Sequence, residues 1–178
     1  QELGGEIVAA EGAPQETRDY RTIMSKIKGL NADLIYMPGY TDGSIVALKQ
    51  AQELGIKTRF LGADAWDDPK MHREVSGKGD IIFTAPVNLS PEDFRKKVLA
   101  KTGGEDVPIG TPNAYDNVKI VAEAMKQVGT DTDKIQQAIR QMKYDGVSGH
   151  IEFDANGDVT LANYVVSRIQ DGEAVEIK

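Results

Sequence analysis

Asn31-Ala32-Asp33-Leu34-Ile35-Tyr36-Met37-Pro38-Gly39-Tyr40 and, one helix later, Arg59-Phe60-Leu61-Gly62-Ala63-Asp64-Ala65-Trp66 decide how this chain folds. Leu34 to Met37 is a short continuous apolar run, the pattern of a strand buried on both faces, and is expected to be a central strand of a parallel sheet. Between the two stretches, Ile45, Leu48, Ala51 and Leu54 share one helical face, and the helix stops at Gly55. Arg59 to Gly62 then reads as a second strand. Strand, helix and strand in this order make a right-handed crossover unit, which places the chain in the α/β class.

The pattern extends in both directions. Upstream, Gly4-Gly5 reads as a helix end and Glu6-Ile7-Val8-Ala9-Ala10 as a short strand. Asp19 is placed to cap a helix whose apolar positions Tyr20, Ile23, Met24, Ile27 and Leu30 recur at helical spacing. Downstream, a short helix is expected from about Lys70 to Val75, and a strand from Asp80 to Pro86. The pattern shifts near Asn88. Ser90-Pro91-Glu92-Asp93 is a helix start with Ser as cap and Pro at the first position, and that helix should run to about Lys101. Ala114, Val118, Val121, Ala122 and Met125 mark a longer helix ending at Gly129. Thr132 or Asp131 caps another through Ile135, Ile139 and Met142, so the two form a pair. In the tail Ile151 and Phe153, Val159 and Leu161, then Val165, Ser167 and Ile169 alternate, with turns at Asn156-Gly157 and Asp171-Gly172. This is the pattern of a β-meander.

Composition narrows the function. The 178 residues suffice for one domain or two small lobes, and 40% hydrophobic with 28% charged residues is the make-up of an ordinary soluble globular protein. A net charge of -7 argues against nucleic acid or anionic lipid as partner. The absence of Cys excludes disulfide scaffolds, thiol nucleophiles and Cys-ligated metal centres. The start of the chain lacks the basic-then-apolar layout of a secretory signal, so any export signal is expected to have been removed or left out. His72 and His150 lie far apart beside no obvious nucleophile and are expected at the surface. No nucleophile elbow, phosphate loop or zinc-protease motif is present. Asp154, Asn156 and Asp158 begin a calcium-loop pattern, but Val159 and Val165 stand where its Gly and bidentate acid are needed, so a hairpin turn is the better reading. No catalytic, metal or cofactor site is expected.

In an open parallel sheet, ligands bind beyond the carboxyl ends of the strands. The loop after the first strand supplies Gly39, Tyr40, Thr41 and the helix start at Gly43-Ser44; the loop after the second supplies Asp64 and Trp66. The expected crevice has an aromatic wall and a carboxylate. Asp64 would accept charge-assisted hydrogen bonds from an ammonium group, and an aromatic face would add cation–π attraction. Two competing readings stay open. Asp64, Asp67 or Asp68 could simply cap the helix after Pro69, with Tyr40 and Trp66 packing locally. Alternatively, Asp67-Asp68 could hold magnesium in a phosphoacceptor site.

The sequence resembles the solute-binding proteins of branched-chain amino-acid transporters, the Leu/Ile/Val-binding family. Leu3-Gly4-Gly5-Glu6-Ile7-Val8, Ile23 to Gly39, Ala51 to Ile56, Leu61-Gly62-Ala63-Asp64-Ala65-Trp66-Asp67, Ala114-Tyr115-Asp116 and Tyr144 to Gly149 through Phe153-Asp154 and Gly157-Asp158 carry the resemblance in order. It implies a partial fold of the type I periplasmic-binding-protein kind: mostly the second lobe, a three-layer parallel sheet with helices, plus the C-terminal helix pair and β-meander. Residues 1–110 would be the second-lobe portion and residues 111–178 the segments that return to the first lobe and hinge. It also implies a non-enzymatic, periplasmic or extracellular protein, lipid-anchored or free, that closes like a flytrap on an amino acid or related solute and docks on an ABC permease. A sensory receptor domain of the same fold is the alternative. Tyr40 and Asp64 would contact ligand, with Trp66 next and Gly39, Thr41 and Ser44 contributing through the loop and helix start. Members run to about twice this length, so the chain is expected to hold half a site. Its unmatched faces suggest a domain-swapped homo-oligomer.

Overall fold

A computed structural model describes residues 4–87, 90–104, 107–160 and 164–177. The chain divides into two compact units, Gln1–Pro86 with Tyr164–Lys178, and Val87–Asn163. Among the described residues no helix is long and apolar enough to cross a membrane.

In the first unit α1 (Arg21–Lys28), β1 (Leu34–Tyr36), α2 (Thr41–Glu53), β2 (Arg59–Gly62), a 3-10 turn (Asp64–Trp66), α3 (Pro69–Val75) and β3 (Ile81–Pro86) alternate as the periodicity predicts, and β6 (Tyr164–Gln170) and β7 (Glu173–Glu176) return to the same sheet. The order is β1-β2-β3-β6-β7. The first three strands are parallel, and β6 runs antiparallel to β3, with Phe83 opposite Ser167. Ile35, Phe60 and Ile81 are in register and face one way. Their side chains join Met24 of α1, Leu48 and Ala51 of α2, and Met71 and Val75 of α3 in one core. Helices α1 to α3 thus cover one face of a mixed sheet.

Local chemistry sets the element ends. Gln50, itself buried, accepts from Tyr20 N at 2.6 Å and donates to Arg18 O at 3.2 Å, tying the entry of α1 to α2. Asp19 accepts from Arg21 N at 3.1 Å, but Tyr20 and not Asp19 stands at the cap position of α1. Asp68 caps α3 by accepting from Lys70 N at 2.7 Å and Met71 N at 3.3 Å, with Pro69 in the first turn, so the capping alternative holds for this aspartate. Gly62 has no alternative residue: the Trp66 ring lies 2.0 Å from where a Cβ would stand.

Several expectations need correcting. Leu34–Tyr36 is an edge strand, with Ile35 buried but Leu34 44% and Tyr36 62% exposed. Periodicity cannot count a strand's neighbours, and an apolar run looks the same at an edge. Glu6–Ala10 forms no strand, because among the described residues it has no paired neighbour to complete a ladder. Pro91, not Ser90, stands at the cap position of α4 (Glu92–Thr102). His72 is buried, not on the surface. The expected meander is split: β6 and β7 extend the main sheet, while β4 (Lys143–Gly146) and β5 (Gly149–Glu152) form a separate hairpin in the second unit. Alternation identifies strands without naming their partners. Leu161 lies outside the described residues.

The second unit holds α4, α5 (Thr111–Val128), α6 (Thr132–Arg140) and the β4–β5 hairpin. Asp131 caps α6 by accepting from Asp133 N and Lys134 N. Helix α5 buries Pro112, Asp116, Ile120 and Ala124 at every fourth position. The Asp116 carboxylate is 0% exposed and accepts from Val147 N (3.1 Å), Ser148 N (2.7 Å) and Ser148 Oγ (2.6 Å). It clips the hairpin tip to the helix, with Gly146 leaving room for it. Farther on, Asp154 Oδ1 accepts from the backbone N–H groups of Asn156, Gly157 and Asp158, which makes this stretch the expected turn. Those donors hold the Asp154 carboxyl below its ordinary range.

Four outcomes are expected. Gly62→Ala should lower stability by about 2–3 kcal/mol or more in urea unfolding, since the methyl must displace a buried indole. Gly12→Ala, which meets nothing within 4 Å, should change it by no more than about 0.5 kcal/mol. Asp116→Asn aims an amide NH2 at groups that already donate, and should cost about 2–3 kcal/mol in the same measurement. His150 Nδ1 lies 2.6 Å from Asp145 Oδ1, and this contact raises the imidazole above its ordinary value, with Glu152 adding to the effect. A raised folded-state value means that the histidine's contribution to the hairpin is complete below the unfolded midpoint and is lost as pH rises through the folded one. An NMR titration of His150 should give a higher midpoint than the same titration of an Asp145→Asn variant.

Candidate functional site

Strands β1 and β2 are parallel neighbours, so the loops that leave their carboxyl ends emerge on the same edge of the sheet. The ladder continues one residue past β1, where Met37 N donates to Leu61 O at 2.9 Å. Beyond it two side chains bridge the loops. Thr41 Oγ1 donates to Ala65 O at 2.9 Å, and Trp66 Nε1 donates to Gly39 O at 3.1 Å. The βα loops that the sequence singles out are therefore fastened to one another.

The site residues divide by where these bonds leave them. Tyr40, 68% exposed, occupies the N-cap position of α2 with an extended backbone. Asp64 is also exposed, and its Oδ1 accepts from Ala65 N at 3.0 Å. Trp66 corrects the expectation: it is 0% exposed, its ring fills the space over Gly62, and its N–H is committed to Gly39. It supports the loop from beneath and presents no ring face to solvent. Gly39 supplies a carbonyl, and its missing side chain leaves room for Ser44, whose Oγ is 2.8 Å from the position of a Cβ there. Ser44 itself is buried in the first turns of α2, so it shapes the loop rather than facing solvent.

His72 is the residue that sequence reasoning missed. Its Nε2 lies 2.9 Å from Trp66 O, and because a carbonyl can only accept, the ring nitrogen donates. The imidazole stacks on Phe83 at 5.5 Å, and Asp67 Oδ1 is 3.8 Å from Nε2. The signal was available: Met71, His72 and Val75 fall on the buried side of a short helix. These contacts also account for the paired acids. Asp68 is engaged as a helix cap and Asp67 lies beside His72, and among the described residues no three acidic or histidine side chains converge to hold a metal.

Two cavities adjoin the loops. One, of about 590 Å³, is lined by Arg18, Tyr40, Thr41, Asp42 and Lys70 among others. Lys70 Nζ donates to Asp42 Oδ1 at 2.7 Å, which lowers the Asp42 carboxyl and raises the Lys70 ammonium relative to their ordinary values. Tyr40 and Thr41 thus border a neutralised pair. The other, of about 1,090 Å³, runs beside β1 and reaches Gly39, Tyr40 and Ser44. Asp64 lines neither, and stands on the open surface of the second loop.

Known proteins share this arrangement of strands and loops. The leucine-, isoleucine-, valine-, threonine- and alanine-binding protein of Pseudomonas aeruginosa is 23% identical over the whole of this chain, which spans 49% of that protein. A leucine-binding protein from Thermotoga maritima superposes with a TM-score of 0.84 at 25% identity, over 99% of this chain and 52% of its own. The branched-chain amino-acid substrate-binding protein of Streptococcus pneumoniae, solved with isoleucine, has the same fold at a TM-score of 0.77 and 24% identity, over 98% of this chain and 53% of its own. The chain therefore spans about half the length of the relatives it matches. A sheet whose adjacent loops gather at one edge, and a match to the family model from residue 1 to residue 174, together place this chain in the periplasmic binding protein family.

Proposed function

We propose that this chain contributes one half of a binding site for an amino acid or related small amine-bearing solute, and that it catalyses no reaction. The observation that carries the reading is the pair of cross-loop hydrogen bonds, Thr41 Oγ1 to Ala65 O and Trp66 Nε1 to Gly39 O, which hold the loops together while Tyr40 and Asp64 remain exposed. The Asp64 carboxylate accepts from the ligand's ammonium group and the Tyr40 ring packs against the ligand. Gly39 and Thr41 set the loop, and Ser44 and Trp66 support it from inside.

The opposing half of the site would come from a second lobe of the kind that relatives twice as long possess, with ligand bridging the lobes and stabilising a closed state by its differential affinity. Residues 1–110 would serve the ligand-binding lobe, and residues 111–178 would engage the other lobe and the hinge. The exposure of Val118, Val121 and Met125 on α5 supports a partner for that segment. The intact protein would work in the periplasm or outside the cell, free or lipid-anchored, and hand its solute to an ABC permease. The family description supports the periplasmic setting, and the transporter named with the Streptococcus pneumoniae relative supports a role in uptake.

The test uses the isotope-labelled chain titrated with L-leucine and followed by NMR. Shifts should concentrate at the amides of Gly39 to Thr41 and Asp64 to Trp66, with millimolar or weaker affinity because one lobe leaves the ligand carboxylate unclamped. Asp64→Ala should weaken that binding about tenfold, and 4-methylpentanoate, which lacks the amine, should leave Asp64 unmoved. Shifts centred elsewhere, or a response indifferent to Asp64→Ala, would refute the assignment; micromolar affinity would refute the half-site.

A further inference from the structure

Asn156 is the one asparagine in this sequence that precedes a glycine. The pair is chemically labile, because a glycine has no side chain to obstruct attack by its backbone nitrogen on the neighbouring side-chain amide. The turn nevertheless requires the glycine. Gly157 has φ 95°, a backbone conformation that strains any other residue. Asp154 Oδ1 accepts from Asn156 N at 2.8 Å, from Gly157 N at 2.9 Å and from Asp158 N at 2.9 Å, and Asp154 N donates to Asp158 O at 2.8 Å. Gly157 N also reaches Asp154 O at 3.1 Å. From outside the turn Arg140 donates to Ala155 O at 2.8 Å.

We propose that Asn156 is a latent deamidation site that the Asp154 carboxylate keeps locked in the folded chain. In the reaction Gly157 N bonds to Asn156 Cγ while the Cγ–Nδ2 bond breaks. The proton of Gly157 N leaves with Nδ2 as ammonia, and a cyclic imide remains. Water then opens the imide at either carbonyl, which yields an aspartyl or an isoaspartyl linkage to Gly157. To attack, the nitrogen must shed its proton, and in this turn an anion holds that proton in a hydrogen bond. The carboxylate opposes the step twice: its hydrogen bond is stronger than a neutral one, and its charge repels the amide anion that forms as the proton leaves. Its three donors hold the Asp154 acid below its ordinary range, so the anion persists at the neutral and alkaline pH where deamidation runs. Conversion places a further carboxylate between Asp154 and Asp158, and an isoaspartyl linkage lengthens the backbone by one carbon, so the three N–H groups no longer converge. This inference stands apart from the ligand reading, since no proposed ligand contact lies in residues 154–158, and the lock is made by bonds within that stretch.

Incubation of the chain at mildly alkaline pH, followed by peptide mass spectrometry, reads conversion at Asn156. Wild-type protein unfolded in urea should convert at least about tenfold faster than folded protein, the factor set by one hydrogen bond to a charged group. Asp154→Ala, shown by circular dichroism to be folded, should bring the folded rate close to the rate in urea. Asp154→Asn keeps an accepting oxygen but removes the charge, and its rate should fall between the two. Arg140→Ala loosens the same turn without touching the Gly157 N–H, and should stay near the folded wild-type rate. Hydrogen exchange at the Gly157 amide needs no variant and should be slowed by a similar factor in the folded wild-type chain. Equal conversion rates folded and in urea overturn the proposal, as does an unprotected Gly157 amide. So does a folded Asp154→Ala or Asp154→Asn protein no faster than wild type, or an Arg140→Ala protein as fast as Asp154→Asn.

Discussion

The indole of Trp66 lies over Gly62 with its N–H on the carbonyl of Gly39, and the candidate site depends on that placement. The ring belongs to the core shared by α1, α2, α3 and the sheet, so the second loop is held by the same packing that holds the fold. Its one polar atom cannot be buried without a partner, and the first loop supplies it. His72 completes the arrangement from below by donating to the Trp66 carbonyl while stacked on Phe83 of β3. A rigid support beneath two exposed side chains is what a binding site requires, because ordering costs are then met by folding rather than by the ligand.

Polar burial elsewhere follows the same rule. Asp116 is a wholly buried acid with three donors from one hairpin tip, and Gln50 is a buried amide whose oxygen and nitrogen both reach the backbone before α1. Each joins residues about thirty positions apart. By contrast the ion pairs Lys70–Asp42 and Arg21–Glu53 lie on the surface, where solvent screening leaves them a small share of stability.

Much of the fold was legible in the sequence. The helical stripes of α1 and α2, the strand Arg59–Gly62 and the turn at Asp171-Gly172 are fixed by residues within a few positions of one another. The expected α5 stripe of Ala114, Val118, Val121, Ala122 and Met125, by contrast, is exposed, and the helix buries Pro112, Asp116, Ile120 and Ala124 instead. Of the site, the pairing of two βα loops was legible because parallel strands force their carboxyl ends to one edge. Which aromatic residue faces outward was not. Tyr40 and Trp66 are both loop aromatics near a glycine, and only the space over Gly62 separates the exposed ring from the buried one.

By itself the sequence determined most of the order of strands and helices and narrowed the residues that start α3 and α6 to a few candidates, since propensity, capping and periodicity act between neighbours in the chain. Tertiary structure alone decided that, among the described residues, Leu34–Tyr36 lies at an edge and Glu6–Ala10 has no ladder partner, that β6 joins β3, and that His72 and Asp116 are buried. The reason is the same in each case. Pairing and burial depend on what lies beside a segment in space, and those neighbours lie far away along the chain, where a local pattern carries no record of them.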